Sequence, residues 1–137
     1  MASAAVFYPH SQLNECFAEA FESASRLRVH VERSDAAMVL RVGGDIDLSN
    51  LASWRCLLGE VSGATVAPGT LIIDIDPAGF LGLCAFTALA DTAEDCRRRG
   101  INLRLVDTQP ALARVIALCQ WDDELPIYPS VLAALHP

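Results

Sequence analysis

The residues of this chain that could do chemistry are few and spread out. Cysteines stand at Cys16, Cys56, Cys84, Cys96 and Cys119, histidines at His10, His30 and His136, and carboxylates recur at i and i+2 in Asp45/Asp47 and Asp74/Asp76. An odd number of widely spaced thiols without a C-x-x-C pair matches neither a disulfide framework nor a zinc site. Free thiols in a reducing compartment are the expectation. Cys84 is the best placed. The segment Leu71 to Phe86, LIIDIDPAGFLGLCAF, predicts a buried strand, a turn marked by Pro and Gly, and a helix with Cys84 in its first turn. Such junctions are where α/β proteins usually keep their functional residues. A helix N-terminus favours anions, so a thiol there suits redox or alkylation chemistry. The plainer reading is a small, part-buried thiol that packs. No phosphate-binding glycine pattern, no histidine base and no oxyanion donor accompanies it, so no catalytic residue and no metal site is expected. Asp45 and Asp47 would share one face of an extended segment, which fits an exposed recognition surface or a turn better than acid/base work. Asp74 and Asp76 close a buried strand and are given no chemistry.

Composition narrows the partners. The net charge is −7, and all ten basic residues are arginine. An acidic chain without clustered Lys and Arg is a poor nucleic-acid binder. The one basic run, Arg97–Arg98–Arg99, falls at a predicted helix end, where cations offset the macrodipole. Hydrophobic residues make up 53% of 137 residues, enough for one domain with a sizeable core. No apolar run approaches the roughly 20 residues of a membrane span, and the N-terminus lacks a basic region followed by an apolar one. A cytoplasmic protein without a cofactor is expected.

The elements that must position these residues follow from periodicity. Gln12 to Phe21 reads as an amphipathic helix with Leu13, Cys16, Phe17, Ala20 and Phe21 on one face, which either packs on the domain or forms a homodimer. Leu27–Glu32 and Ala37–Val42 predict strands joined by a hairpin turn at Arg33–Ser34–Asp35. Gly43–Gly44 should break the second strand, and Ser49 or Asn50 should cap a helix over Leu51 to Val61. Gly63 to Gly69 reads as a loop. Leu71–Asp76 is apolar enough for a strand buried on both faces. Gly82 to Arg99 predicts a helix with Leu83, Phe86, Leu89, Ala90 and Ala93 on its apolar stripe and Gly100 as its C′ residue. Ile101–Val106 predicts a strand, Pro110 to Leu118 a helix, Leu125–Tyr128 a short edge strand, and Ser130 the cap of a final short helix. The order gives an α/β fold: a mixed, mostly parallel sheet with an N-terminal β-hairpin and helices packed on it. Residues 1–25 form an extension and 26–137 the domain.

Four segments in this order resemble the STAS domain, the fold of bacterial anti-sigma factor antagonists. Gly44–Asp45–Ile46–Asp47 is similar to the family's G-E-L-D segment, and Leu71–Ile72–Ile73–Asp74–Ile75 to its central strand. Arg98 to Val106 is similar to its next helix end and strand. Ala113–Arg114–Val115–Ile116 with Leu125 to Ser130 is similar to its C-terminal signature. The family carries F-[ILM]-D-S-S-G-[LI] after the central strand, and its second serine is the target of the partner kinase. Here Phe80 to Phe86 reads FLGLCAF: Gly82 stands for the aspartate, Leu83 for the first serine and Cys84 for the phosphoacceptor.

The resemblance implies a protein that sequesters a GHKL-type anti-sigma factor and frees an alternative sigma factor, without the serine-phosphorylation switch. It implies a partner surface of Asp45, Asp47, Ser49, Asn50, Gly82, Leu83, Cys84 and Ala85. Leu83 would be either core or an exposed anchor, and Phe86 core. A scaffold-type STAS module and a thiol-based redox sensor acting through Cys84 are the alternatives. Some actinobacterial members similar to this chain are redox-responsive, which makes Cys84 and Cys119 redox candidates. A bridge between them needs Cα atoms within roughly 7 Å.

Overall fold

A computed structural model describes residues 27–35 and 37–137. The expected helix over Gln12 to Phe21, with Cys16, lies outside the described residues. Strand β1 (Arg28–Ser34) and strand β2 (Ala37–Ile46) form the predicted hairpin, in antiparallel register from Arg28↔Gly43 to Ser34↔Ala37. Asp35 turns it at φ +53°, a left-handed conformation that Asp tolerates. The remaining strands are β3 (Gly69–Asp74), β4 (Ala78–Leu81), β5 (Ile101–Val106) and β6 (Ile127–Tyr128). The sheet order is β1-β2-β3-β5-β6, and every pairing after the hairpin is parallel. The helices are α1 (Leu51–Ala64), α2 (Leu83–Arg98), α3 (Pro110–Leu118) and α4 (Val131–Leu135).

Strand alternation divides the core. Met38, Leu40, Leu71 and Ile73 face one way, toward Trp54 and Leu57 of α1, Phe86 and Leu89 of α2, and Leu112 and Ile116 of α3. Val39, Ile72 and Val106 face the other way, against Ala134 of α4. β3 is therefore buried on both sides, as a continuously apolar central strand must be.

Four expectations are corrected. The paired glycines do not end β2. Gly44 takes φ +104° at a bulge between Gly44 and Asp45, beyond which β2 pairs with β4. A left-handed residue bends a strand without stopping it, so the glycines steer the chain rather than break it. β4 itself was read as part of the turn after the central strand, because four residues with no apolar alternation carry no strand signal. β3 starts two residues earlier than expected and ends at Asp74. There the Asp74 carboxylate accepts the Asp76 backbone N–H (3.0 Å) and turns the chain. Leu125 is core rather than strand, and β6 shrinks to Ile127–Tyr128.

The helix ends follow the sequence closely. Pro110 opens α3, Gly100 follows α2 at φ +82°, and the Ser130 hydroxyl accepts the Ala133 N–H (3.0 Å) at the start of α4. The basic run at the end of α2 is structural: Arg98 pairs with Glu94 and Asp95, while Arg99 pairs with Asp95 and donates to the Ser62 carbonyl (2.7 Å).

Trp54 joins α1 to the start of α2. Its fully buried indole donates Nε1–H to the Ala85 carbonyl at 3.2 Å. Trp54→Phe removes that bond and part of the buried volume. Urea denaturation should show a loss of about 1–2 kcal/mol with an unchanged m-value.

Candidate functional site

The carboxyl edge of the sheet is where three short pieces of chain meet: the turn after β2, β4, and the N-terminus of α2. Asp47 organises the first. It is the N-cap of a 3-10 turn (Leu48–Asn50) that leads into α1, and its carboxylate accepts the Ser49 backbone N–H (2.9 Å) and the Ser49 hydroxyl. Asn50 closes the box in reverse: its Oδ1 accepts the Asp47 N–H (2.9 Å), and its Nδ2 donates to the Asp45 carbonyl (2.8 Å). Asn50, one of the two expected caps, is the N-cap residue of α1, but its side chain makes no cap bond there and serves instead the preceding turn that Asp47 caps.

Held this way, the turn projects Leu48 into solvent at 79% exposure. β4 presents Phe80 at 56%, and the first residue of α2, Leu83, is 60% exposed. Val66, Leu118 and Leu132 are exposed as well, but Leu48, Phe80 and Leu83 share one surface, and a contiguous apolar patch is the informative feature. Together with Asp47, Ser49, Gly82 and Cys84 they line an open groove of about 490 Å³. Gly82 anchors its floor, donating its N–H to the Ile46 carbonyl (2.9 Å) and accepting from Ala85 N–H (2.9 Å) as the N-cap of α2.

Of the residues that the sequence assigned to a partner surface, Asp47, Ser49, Gly82, Leu83 and Cys84 come together in the groove. Asp45 is exposed beside it, its carboxylate over Gly79, where a Cβ would come within 2.7 Å. Asn50 and Ala85 are not on the surface. Asn50 is spent on the capping box, and Ala85 is fully buried beneath Trp54. Leu83 resolves as exposed and Phe86 as core. Leu48 and Phe80 were missed. Leu48 is one apolar residue in a polar turn, and Phe80 entered only as the first residue of the motif-like segment Phe80 to Phe86, which says nothing of its exposure.

The thiols separate. Cys84 is half-buried in the groove, Cys56 is exposed and Cys96 is core, where burial pushes its thiol up. Cys119 ends α3, a helix of about 13 Å that starts beyond the carboxyl end of β5 and runs back toward the opposite edge. All four described cysteines are free.

The neighbouring acidic residues hold loops. Asp76 accepts the Thr108 N–H (2.9 Å) and hydroxyl (2.8 Å), which keep its carboxyl below the ordinary value. Burial pushes Asp107 up, and a hydrogen bond with Asp76 adds to it. Asp74, raised by burial, faces Arg41 at 3.6 Å. These bonds tie the ends of β3 and β5 together beside the groove and line no part of it. What the groove offers is apolar contact area with a carboxylate at its rim, the chemistry of a docking surface.

The chain is similar to known proteins over most of its length. The family profile described as "STAS domain" matches residues 28–134. Rv2638 of Mycobacterium tuberculosis (strain ATCC 25618 / H37Rv), provisionally named an anti-anti-sigma factor, is 43% identical over 127 residues, covering 93% of this chain and 86% of that protein. The anti-sigma-F factor antagonist RsfA of Mycobacterium tuberculosis (strain CDC 1551 / Oshkosh) is 37% identical over 112 residues, covering 82% and 88%. The crystal structure of an anti-sigma factor antagonist from Mycobacterium paratuberculosis superposes with a TM-score of 0.70 at 30% identity, covering 80% of this chain and 91% of that one.

Two outcomes test the local geometry. The Ser49 hydroxyl and N–H hold the Asp47 carboxyl below its ordinary 3.8. A lowered carboxyl stabilises the fold above its unfolded value, and that contribution is lost as pH falls through the lower folded one. The Ser49 amide resonance should therefore titrate with a midpoint below 3.8 in ¹H–¹⁵N spectra; a midpoint at or above 3.8 removes the cap. Gly82 has φ −70° and ψ 162°, and an added Cβ would meet only ordinary contacts, the nearest at 3.5 Å. Gly82→Asp should supply the missing side-chain cap and raise stability by about 0.5 kcal/mol in thermal unfolding.

Proposed function

The chain belongs to the STAS domain family, and on that footing we propose that it is an anti-sigma factor antagonist. It acts by occupancy: it binds a GHKL-type anti-sigma factor in the cytoplasm, and the sigma factor that this inhibitor held is released for transcription. The observation that carries the reading is the groove of Leu48, Phe80 and Leu83 around Cys84. It lies where the family's resemblance puts the partner contact and the kinase target. Buried apolar anchors supply most of the energy of such interfaces, and Leu83, standing proud at the first position of α2, is the natural anchor. Asp47 and Asp45 at the rim would set orientation and encounter rate more than affinity.

The switch differs from the family's usual one. A kinase that transfers phosphate to a serine hydroxyl finds the Cys84 thiol at that position, with Leu83 in place of the preceding serine and Gly82 in place of the aspartate. Binding is therefore insensitive to ATP, and the antagonist is set by its own abundance or by competition for the groove.

The test is titration of the purified chain against the GHKL-type anti-sigma factors encoded in its own genome, with and without ATP. At least one should bind in the micromolar range or tighter, with no phosphate transferred and no effect of ATP. Leu83→Asp should weaken that complex about 30-fold, equivalent to about 2 kcal/mol. Binding by none of them, or full affinity in Leu83→Asp, overturns the reading. Phosphate on the wild-type chain overturns the ATP-insensitive switch.

A further inference from the structure

We infer that a notch along the outer edge of β5 is a binding site for a small zwitterion of the α-amino acid class. β6 pairs only with Leu105 and Val106 at the end of β5. Beside the earlier part of that strand, the chain entering β6 through Asp123, Glu124 and Pro126 faces Arg97 of α2 across a cavity of about 280 Å³. The backbone at its floor lacks a partner. The Leu105 N–H donates to the Pro126 carbonyl (2.9 Å) and the Asp107 N–H to the Tyr128 carbonyl (3.1 Å), while the Val106 carbonyl accepts the Ile75 N–H (3.1 Å) on the other side. Alternate residues of a parallel strand serve opposite neighbours, so Leu103 turns its N–H and C=O to the notch. In the register of Leu105 with Ile127, the group level with the Leu103 carbonyl is the nitrogen of Pro126, which carries no hydrogen.

The charges around the cavity are unmatched too. Arg97 and Arg104 bring positive charge to it, Asp123 and Glu124 negative charge, and among the described residues no ion pair joins any two of them. Arg98 and Arg99, by contrast, pair with carboxylates of α2. Arg104 is held by the Ala134 carbonyl (2.7 Å) and lies 5.9 Å from the centre of the Tyr128 ring, which leaves Arg97 to meet an anion. Glu124 Oε1 is sealed from solvent without a hydrogen-bond donor, a costly state for a carboxylate oxygen. One ligand answers all three groups. Its ammonium donates to Glu124 Oε1 and to the Leu103 carbonyl, and its carboxylate accepts from the Arg97 guanidinium. An added peptide strand would also use Leu103, but Pro126 and the Asp123–Glu124 turn close the edge beyond it, and a cavity this small fits a ligand of few atoms.

The test is titration of the ¹⁵N-labelled full-length chain with free L-amino acids, one at a time, followed through the amide resonances of Leu103 and Glu124. At least one amino acid should shift both, with millimolar affinity or tighter. The N-acetyl and carboxamide derivatives of that amino acid, each lacking one of its two charges, should bind about 10-fold more weakly or worse. Glu124→Gln and Arg97→Gln should each weaken binding of the unmodified amino acid by a similar factor, with the thermal unfolding midpoint unchanged. No shift with any amino acid overturns the inference, as does undiminished affinity for either derivative or in either variant. Binding of short extended peptides alone, with no response to free amino acids, also overturns it and assigns the notch to strand addition. The notch lies beside the amino half of β5 and the groove at the carboxyl edge of the sheet. No anti-sigma factor enters the assay, so this inference and the proposed function fall separately.

Discussion

The rest of the structure depends on the burial of one strand on both faces. Leu71 and Ile73 of β3 enter the core under α1 and α2, and Ile72 enters the one under α4. Each such side chain contributes about 2 kcal/mol on leaving water. A strand that loses both faces to apolar contact must sit in the middle of the sheet, with β2 on one side and β5 on the other. Parallel neighbours then require crossovers, and the crossovers are α1 and α2. The position of the α2 N-terminus, and with it of Leu83 and Cys84, is thus a consequence of where β3 is buried.

The carboxyl edge is what this arrangement leaves unfinished. β3 stops where the Asp74 carboxylate captures the Asp76 N–H, and the chain makes a second, shorter strand before the helix. β4 finds its partner only because the bulge at Gly44 carries β2 past the end of β3. The Asp47 box then holds Leu48 outward across from Phe80. A bulge, a cap and a four-residue strand are all local devices. Together they keep three hydrophobic side chains exposed on one contiguous surface, the kind of patch that marks interaction sites.

Cys84 illustrates how family context and local physics divide the question. It stands at the second residue of α2, half-buried in the groove wall. Among the described residues the groove brings it no histidine, and the neighbouring carboxylate, Asp47, is occupied by its own turn. On the proposed reading, the chemistry of the edge is recognition, and the three replaced residues at Gly82, Leu83 and Cys84 would change how the recognition is switched rather than where it happens.

By itself the sequence determined the fold class, the hairpin, the two-faced central strand, the extents of α2, α3 and β5 to within a residue, and the clustering of Gly82, Leu83 and Cys84 at one helix start. All of these rest on periodicity or on local caps, which are written within a few residues of where they act. Only the tertiary structure decided the rest. Gly43–Gly44 could be a break or a bulge until β4 was in place to pair beyond it. Leu83 had the spacing of a core residue and is exposed, because α2 meets the sheet with Ala85, Phe86 and Leu89. Asn50 and Ala85 had the family position of surface residues and are buried. Leu48, silent in the sequence, and Phe80, known there only as the first residue of a motif, became walls of the groove because segments more than thirty residues apart were folded onto one edge. Exposure is a property of what the rest of the chain fails to cover, and no local pattern carries that information.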